Sequence, residues 1–110
     1  MNKRVMIVTN VPVNEADAMR QAIGDAGGGK MGKYSYCSYS VTGTGRFLPG
    51  ADARPAIGQV GQLESVAEDR IEVSCDETDA PAIVRAIRQA HSYEEPAIFV
   101  YPLLEIRDDQ

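Results

Sequence analysis

The sequence has no tryptophan, a single histidine and only two cysteines among its 110 residues. Cys37 and Cys75 form no metal-ligand pattern. Each lies in a strand-like run, where a buried free thiol is the expected state. Long apolar runs are lacking as well. None approaches the roughly 20 residues that cross a bilayer, and the start, MNKRVMIVTNVPVNE, holds too few apolar residues for a signal-peptide core. The expectation is one cytoplasmic domain over residues 1–110 with no membrane segment. Positive charge is scarce: 11 Lys and Arg stand against 16 Asp and Glu, a net charge of −5. With no basic block to offset this, electrostatic binding of DNA or RNA is excluded. There is no internal repeat, and no low-complexity tail beyond the acidic end Asp108-Asp109-Gln110.

What the chain does contain alternates between two periods. Arg4 to Thr9 is a short apolar run and predicts a strand near 3–9. Asn14 is a candidate helix cap, with Glu15 and Asp17 in the first turn, where acidic side chains suit the helix dipole. Ala16, Met19, Ile23 and Ala26 then share one helical face over 14–26. Gly27-Gly28-Gly29 stops that helix by allowing a left-handed turn. The stretch YSYCSYSV predicts a second strand over 34–42, rich in aromatic and β-branched residues. A third is expected over 62–75, with a break near Ala67. Thr78 or Asp79 caps a second helix over 79–90, with Pro81 in its first turn. Its apolar stripe is Ile83, Val84, Ile87 and Ala90. A fourth strand follows over 96–106. The order β-α-β-β-α-β predicts an α+β, ferredoxin-like sandwich: an antiparallel sheet with two helices on one face. Its second and last strands then lie at the edges, where Pro102 is tolerated.

Two strands carry more apolar side chains than such a sandwich can cover. Val5 and Ile7 point one way and Met6 and Val8 the other. Ile98 and Val100 likewise oppose Phe99 and Tyr101. Helices on one face leave the second apolar face bare, and another subunit is its simplest cover.

Two stretches are candidates for chemistry. Residues 43–58, GTGRFLPGADARPAIG, form an expected long loop, and loops this long in small domains are functional or disordered. One reading is a hairpin tip, or padding against a neighbouring subunit through Phe47, Leu48 and Ile57. The other is a binding loop, with Gly43 and Gly45 permitting close backbone approach, Arg46 and Arg54 offering charge to an anion, and Phe47 anchoring it. It is not a P-loop, because it lacks Lys-Ser/Thr and does not lead into a helix. The second stretch is HSYEEP, residues 91–96. His91 sits where it can cap the second helix. Alternatively His91, Glu94 and Glu95 hold a divalent metal, with Glu64, Glu68 or Glu72 as distant contributors. No nucleophile or second base stands out, so catalysis has no motif behind it.

The stretches VPVNEADAMRQAIGDAG, GKMGKYSYCSYSVTGTGRFLPGADARPAIG, VGQLESVAEDRIEV and AHSYEEPAIFVYPL resemble the PII/CutA-like domain of YqfO-type dinuclear-metal-centre proteins, here as a stand-alone chain. Gly-x-Gly-x-Phe-x-Pro at 43–49, with Glu68-x-Arg70-Ile71-Glu72, is the more specific part. Where the family pattern has His-Pro-Tyr, this sequence has His91-Ser92-Tyr93, which loosens the backbone after the histidine. The resemblance implies a ferredoxin-like fold and a homotrimer. It also implies a role for the connection between strands two and three in meeting a small anionic ligand or a protein partner. The metal-binding domains of those larger proteins have no counterpart in this chain. The expected function is therefore a non-catalytic, ligand- or partner-binding module, with divalent-metal binding as the alternative.

Overall fold

The computed structural model describes residues 3–108. Met1 and Asn2 lie outside the described residues, as do Asp109 and Gln110 of the acidic end. Four strands form one antiparallel sheet: β1 (Arg4–Pro12), β2 (Tyr39–Phe47), β3 (Glu64–Asp76) and β4 (Ile98–Leu103). Their order is β2-β3-β1-β4, so β2 and β4 are the edges. Helices α1 (Ala16–Asp25) and α2 (Ala80–Ala90) pack side by side on one face. This is the expected ferredoxin-like sandwich.

Alternation along β1 fixes which side chains meet the helices. Val5, Ile7 and Val11 point into the core with Ile71, Val73 and Cys75 of β3. Met19 and Ile23 of α1 and Ile83 and Ile87 of α2 close over them, each at most 1% exposed. Each such side chain contributes about 1.5–3 kcal/mol through burial. Cys75 behaves as a core residue, and burial pushes its thiol pKa up. Ala26 and Val84 are half-buried at the edge of this cluster. Ala90, expected on the stripe, is exposed at the last position of α2.

Several boundaries differ from the sequence expectation. β2 starts at Tyr39, and residues 34–38 form an irregular connection that opens with a bridge from Tyr34 to Met31. Gly29 donates to the Ser74 carbonyl and accepts from the Cys37 N–H, at 3.0 and 2.9 Å. That tether spends the hydrogen bonds a longer strand would need. It also requires Gly29 (φ +86°), since a Cβ there would run into the Cys37 backbone. β2 consequently continues through Gly43, Gly45, Arg46 and Phe47, and the true loop is 48–63. β3 runs unbroken past Ala67. Neither Asn14 nor Thr78 caps a helix. Short 3-10 turns, Val13–Glu15 and Glu77–Asp79, lead into α1 and α2, and neither helix has a side-chain cap bond. β4 ends at Leu103, and Leu104 and Ile106 beyond it are exposed.

The face away from the helices is apolar at both edges. In register across it stand Tyr39, Glu72, Val8 and Phe99, one from each strand. Tyr39, Val41, Phe99 and Tyr101 are all about half exposed or more. Val8 departs from expectation. It lies on this open face, yet its sheet neighbours bury it to 1%.

Candidate functional site

The two candidate stretches meet, although about forty residues separate them in sequence. The end of β2, the loop 48–63 and the turn after α2 form the walls of one cleft of about 420 Å³. Gly45, Arg46 and Phe47 line it from β2, Ile57 from the loop, and Tyr93, Glu94 and Glu95 from the turn, with Glu68 between them.

The turn is built from α2 outward. Pro81 starts that helix as expected. At its end the His91 N–H donates to the Ile87 carbonyl at 2.9 Å, and the backbone of His91 is already extended. The imidazole then turns inward, 7% exposed. The Tyr93 N–H donates to Nδ1 at 3.1 Å. That makes Nε2 the protonated nitrogen, donating to the Asn10 carbonyl at 2.7 Å. His91 thus ties α2 to β1 and sets the course of the chain towards β4. Both ring nitrogens are occupied, so metal ligation would first have to break one of these bonds. Glu94 spends one carboxylate oxygen on the Arg54 N–H, at 2.7 Å, and Glu95 is exposed. Among the described residues, no three His, Cys, Asp or Glu side chains converge as a metal site. His91, Glu94 and Glu95 are neighbours in sequence but not a donor set within one chain.

Tyr93 is the hinge between the walls. Its ring stacks obliquely on His91, with centroids 4.9 Å apart, and on Phe47 at 5.9 Å. Its hydroxyl donates to Glu68 Oε2 at 2.8 Å. Burial, then this hydrogen bond, holds the phenol pKa well above its usual range. Phe47, the residue expected to anchor the loop, lies against the Tyr93 ring. The loop closes on itself where the Gly61 N–H donates to the Pro49 carbonyl at 2.9 Å.

Glu68 comes from the middle of β3, opposite Pro12 of β1 and Gly43 of β2. It is only 8% exposed. Gly45 makes room for it, because a Cβ at that position would collide with the Glu68 carboxylate. Here the glycine of the loop motif serves the fit of one side chain rather than a backbone approach to phosphate. Gly43 lines a smaller adjoining groove of about 240 Å³, which shares Glu68. Arg54 lies outside the lining and contributes its backbone N–H alone. Glu68, Tyr93 and Asn10 were not among the ligand-binding residues expected from sequence. Glu68-x-Arg70 and His91-x-Tyr93 did mark two of them as parts of motifs.

The topology and this cleft define a class: a ferredoxin-like module with a ligand-sized pocket at the foot of its long β2–β3 connection. No family model matches the chain. It is 47% identical over 97 residues to the GTP cyclohydrolase 1 type 2 homolog of Mycobacterium tuberculosis, covering 88% of this chain and 26% of that protein. The crystal structure of a Bacillus cereus protein related to NIF3 superposes with a TM-score of 0.81 at 41% identity, over 93% of this chain and 26% of the other. The divalent cation tolerance protein CutA of Archaeoglobus fulgidus superposes with a TM-score of 0.68 at 16% identity, over 96% of this chain and 89% of CutA, a likeness of fold alone. Over most of its length the chain is thus similar to one segment of NIF3-related proteins, and its fold is that of CutA. It spans about a quarter of the length of the curated relatives it matches.

Proposed function

We propose that this chain is a non-catalytic, cytoplasmic, trimeric PII/CutA-like module that takes up a small ligand or a protein partner at the cleft. The cleft carries the reading. Its walls come from three separate parts of the chain, and a single ring, Tyr93, links them through Phe47 and Glu68. A ligand there would touch β2, the loop and the α2–β4 turn together, and so would couple occupancy to the loop's position. For the trimer, support comes from the open sheet face. Half-exposed Tyr39, Val41, Phe99 and Tyr101 there form the kind of apolar surface that subunit contact covers. Both cysteines are free, which suits a reducing compartment. No helix among the described residues is long and apolar enough to cross a membrane. Light scattering at micromolar concentration tests the assembly, and a monomer mass refutes it. A thermal-shift screen of nucleotides, carboxylates and amines tests the cleft. A hit whose shift survives Phe47→Ala unchanged places binding elsewhere.

A further inference from the structure

The arginines of residues 43–58 led to the expectation of an anion. The assembled cleft has the opposite sign. Its lining holds three carboxylates, Glu68, Glu94 and Glu95, and one guanidinium, Arg46. Arg54, the other expected cation, is not part of the lining.

Glu68 sharpens the point beyond a charge count. A carboxylate taken from water costs several kcal/mol unless a partner replaces the lost hydration. More than nine-tenths of Glu68 is buried, and its Oε2 has one partner, the Tyr93 hydroxyl. Among the described residues, Oε1 has no hydrogen bond or ion pair. It is not sealed in the core either, since no buried side-chain oxygen is left unpartnered and Glu68 lines both the cleft and the groove beside it. Two other arginines are engaged with other acids: Arg20 pairs with Asp17 and Asp69, and Arg70 with Glu72 at 3.0 Å. Arg46 lines the same cleft but forms no ion pair with Glu68. A buried acid facing an open pocket, with no cation paired to it among the described residues, can receive a donor from outside.

We infer that the cleft binds a small organic cation, whose ammonium or guanidinium group donates to Glu68. The apolar stem of that ligand lies against Phe47, Ile57 and Tyr93, and Glu94 and Glu95 at the rim draw the cation in. Arg46 at the mouth repels simple diamines from one side and favours a ligand whose far end is neutral or anionic. The inference rests on the cleft being a binding site, and fixes which chemistry it selects.

The test uses the full chain, with backbone amide NMR and calorimetry. Agmatine and arginine are the cationic probes, and glutarate and inorganic phosphate the anionic ones. The expected result is saturable binding of a cationic probe that moves the Gly45, Phe47 and Tyr93 amides and weakens as salt rises. Glu68→Gln, which keeps an acceptor for the Tyr93 hydroxyl, should weaken that binding about tenfold or more. Glu77→Gln, an exposed acid outside the lining, should leave it within a fewfold. If only the anions move the cleft amides, the charge assignment is overturned and the cleft reading stands. If neither class moves them, both fall. If Glu68→Gln breaks the assembly instead, Glu68 pairs with a cation of another subunit, and the inference is wrong. Should that variant fail to fold, the wild-type contrast between cations and anions still decides.

Discussion

Replacing Tyr93 with Phe removes one oxygen and should cost more than its size suggests. The ring contacts to His91 and Phe47 survive, because a phenyl ring fills the same place. What is lost is the 2.8 Å hydrogen bond to Glu68 Oε2, the only partner that carboxylate has among the described residues. Hydrogen bonds to charged groups are worth about 1.5–3 kcal/mol, and at 8% exposure water replaces little of it. A loss near 2 kcal/mol is expected at neutral pH, or about 10 °C of melting temperature for a domain of this size. The alkaline limb supplies a second, independent signature. The Tyr93 pKa is raised in the folded protein, so its stabilising contribution is complete below the unfolded value near 10. It is lost as pH rises from there towards the folded value, by up to about 1.4 kcal/mol per pH unit. Tyr36, raised by its hydrogen bond to Asp25, and Cys75, raised by burial, also titrate on this side. Both are present in wild type and variant, so they cancel in the difference. Urea denaturation of the two proteins at pH 7, 10 and 11 is the assay. The stability gap should narrow between pH 10 and 11. A gap that is near zero at pH 7, or constant throughout, refutes the Tyr93–Glu68 bond.

Phe99→Asp, on the open face beside Val8, should leave the monomer core intact and abolish the trimer, because an unpaired carboxylate would be buried at the contact. Sedimentation velocity with circular dichroism checks it, and a trimer that persists argues for a different contact surface. Phe47→Ala should free the loop without unfolding the sheet, so thermolysin should cut within 48–63, at Ile57 or Val60, at least several-fold faster than in wild type. His91→Ala removes the link from α2 to the Asn10 carbonyl and leaves the Tyr93 N–H without its acceptor, for a loss of about 1–3 kcal/mol. Zinc titration of the same variant addresses the metal alternative: saturable binding in wild type that disappears in the variant would show His91 ligating once displaced from Asn10. Gly45→Ala should destabilise by about 1–3 kcal/mol, since its methyl must displace the Glu68 carboxylate.

The fold was legible because its determinants are periodic and local. Ala16, Met19 and Ile23 repeat at helical spacing, Val5 and Ile7 at strand spacing, and Pro81 and Gly27 punctuate the helices where expected. Where the reading slipped, a long-range bond overrode local propensity. Tyr34, Tyr36 and Cys37 have strand-like composition, but the Gly29 tether to Ser74 and Cys37 holds them outside the sheet. Gly43 and Gly45 look like loop residues, yet β3 pairs with both. Helix entry through 3-10 turns likewise displaced Asn14 and Thr78 as caps and left Asp79 at the N-cap of α2 without a side-chain bond, because the backbone leaving β1 and β3 makes the turn itself.

The parts of the cleft were legible, and the way folding joins them was not. Arg46 and Phe47 on one stretch, and His91, Glu94 and Glu95 on another, were each visible as unusual. Read separately, the first suggested an anion site and the second a metal. Folding joins them and changes both meanings. His91 becomes a strut, with its two nitrogens spent on Asn10 and Tyr93. Glu94 becomes a clasp on the Arg54 backbone. The decisive carboxylate, Glu68, sits in the charged run Glu68-Asp69-Arg70 just before the alternating part of its strand, where sequence suggests only a wet face. What makes it different is its register opposite a glycine-bearing edge strand, together with a tyrosine delivered from 25 residues away. Gly45 carries no chemistry, yet it decides that Glu68 can lie flat and buried beneath the cleft. A glycine in an edge strand, diagonally across from an acid on the next strand, is thus the signal to seek in such sequences, ahead of the arginines that first draw the eye.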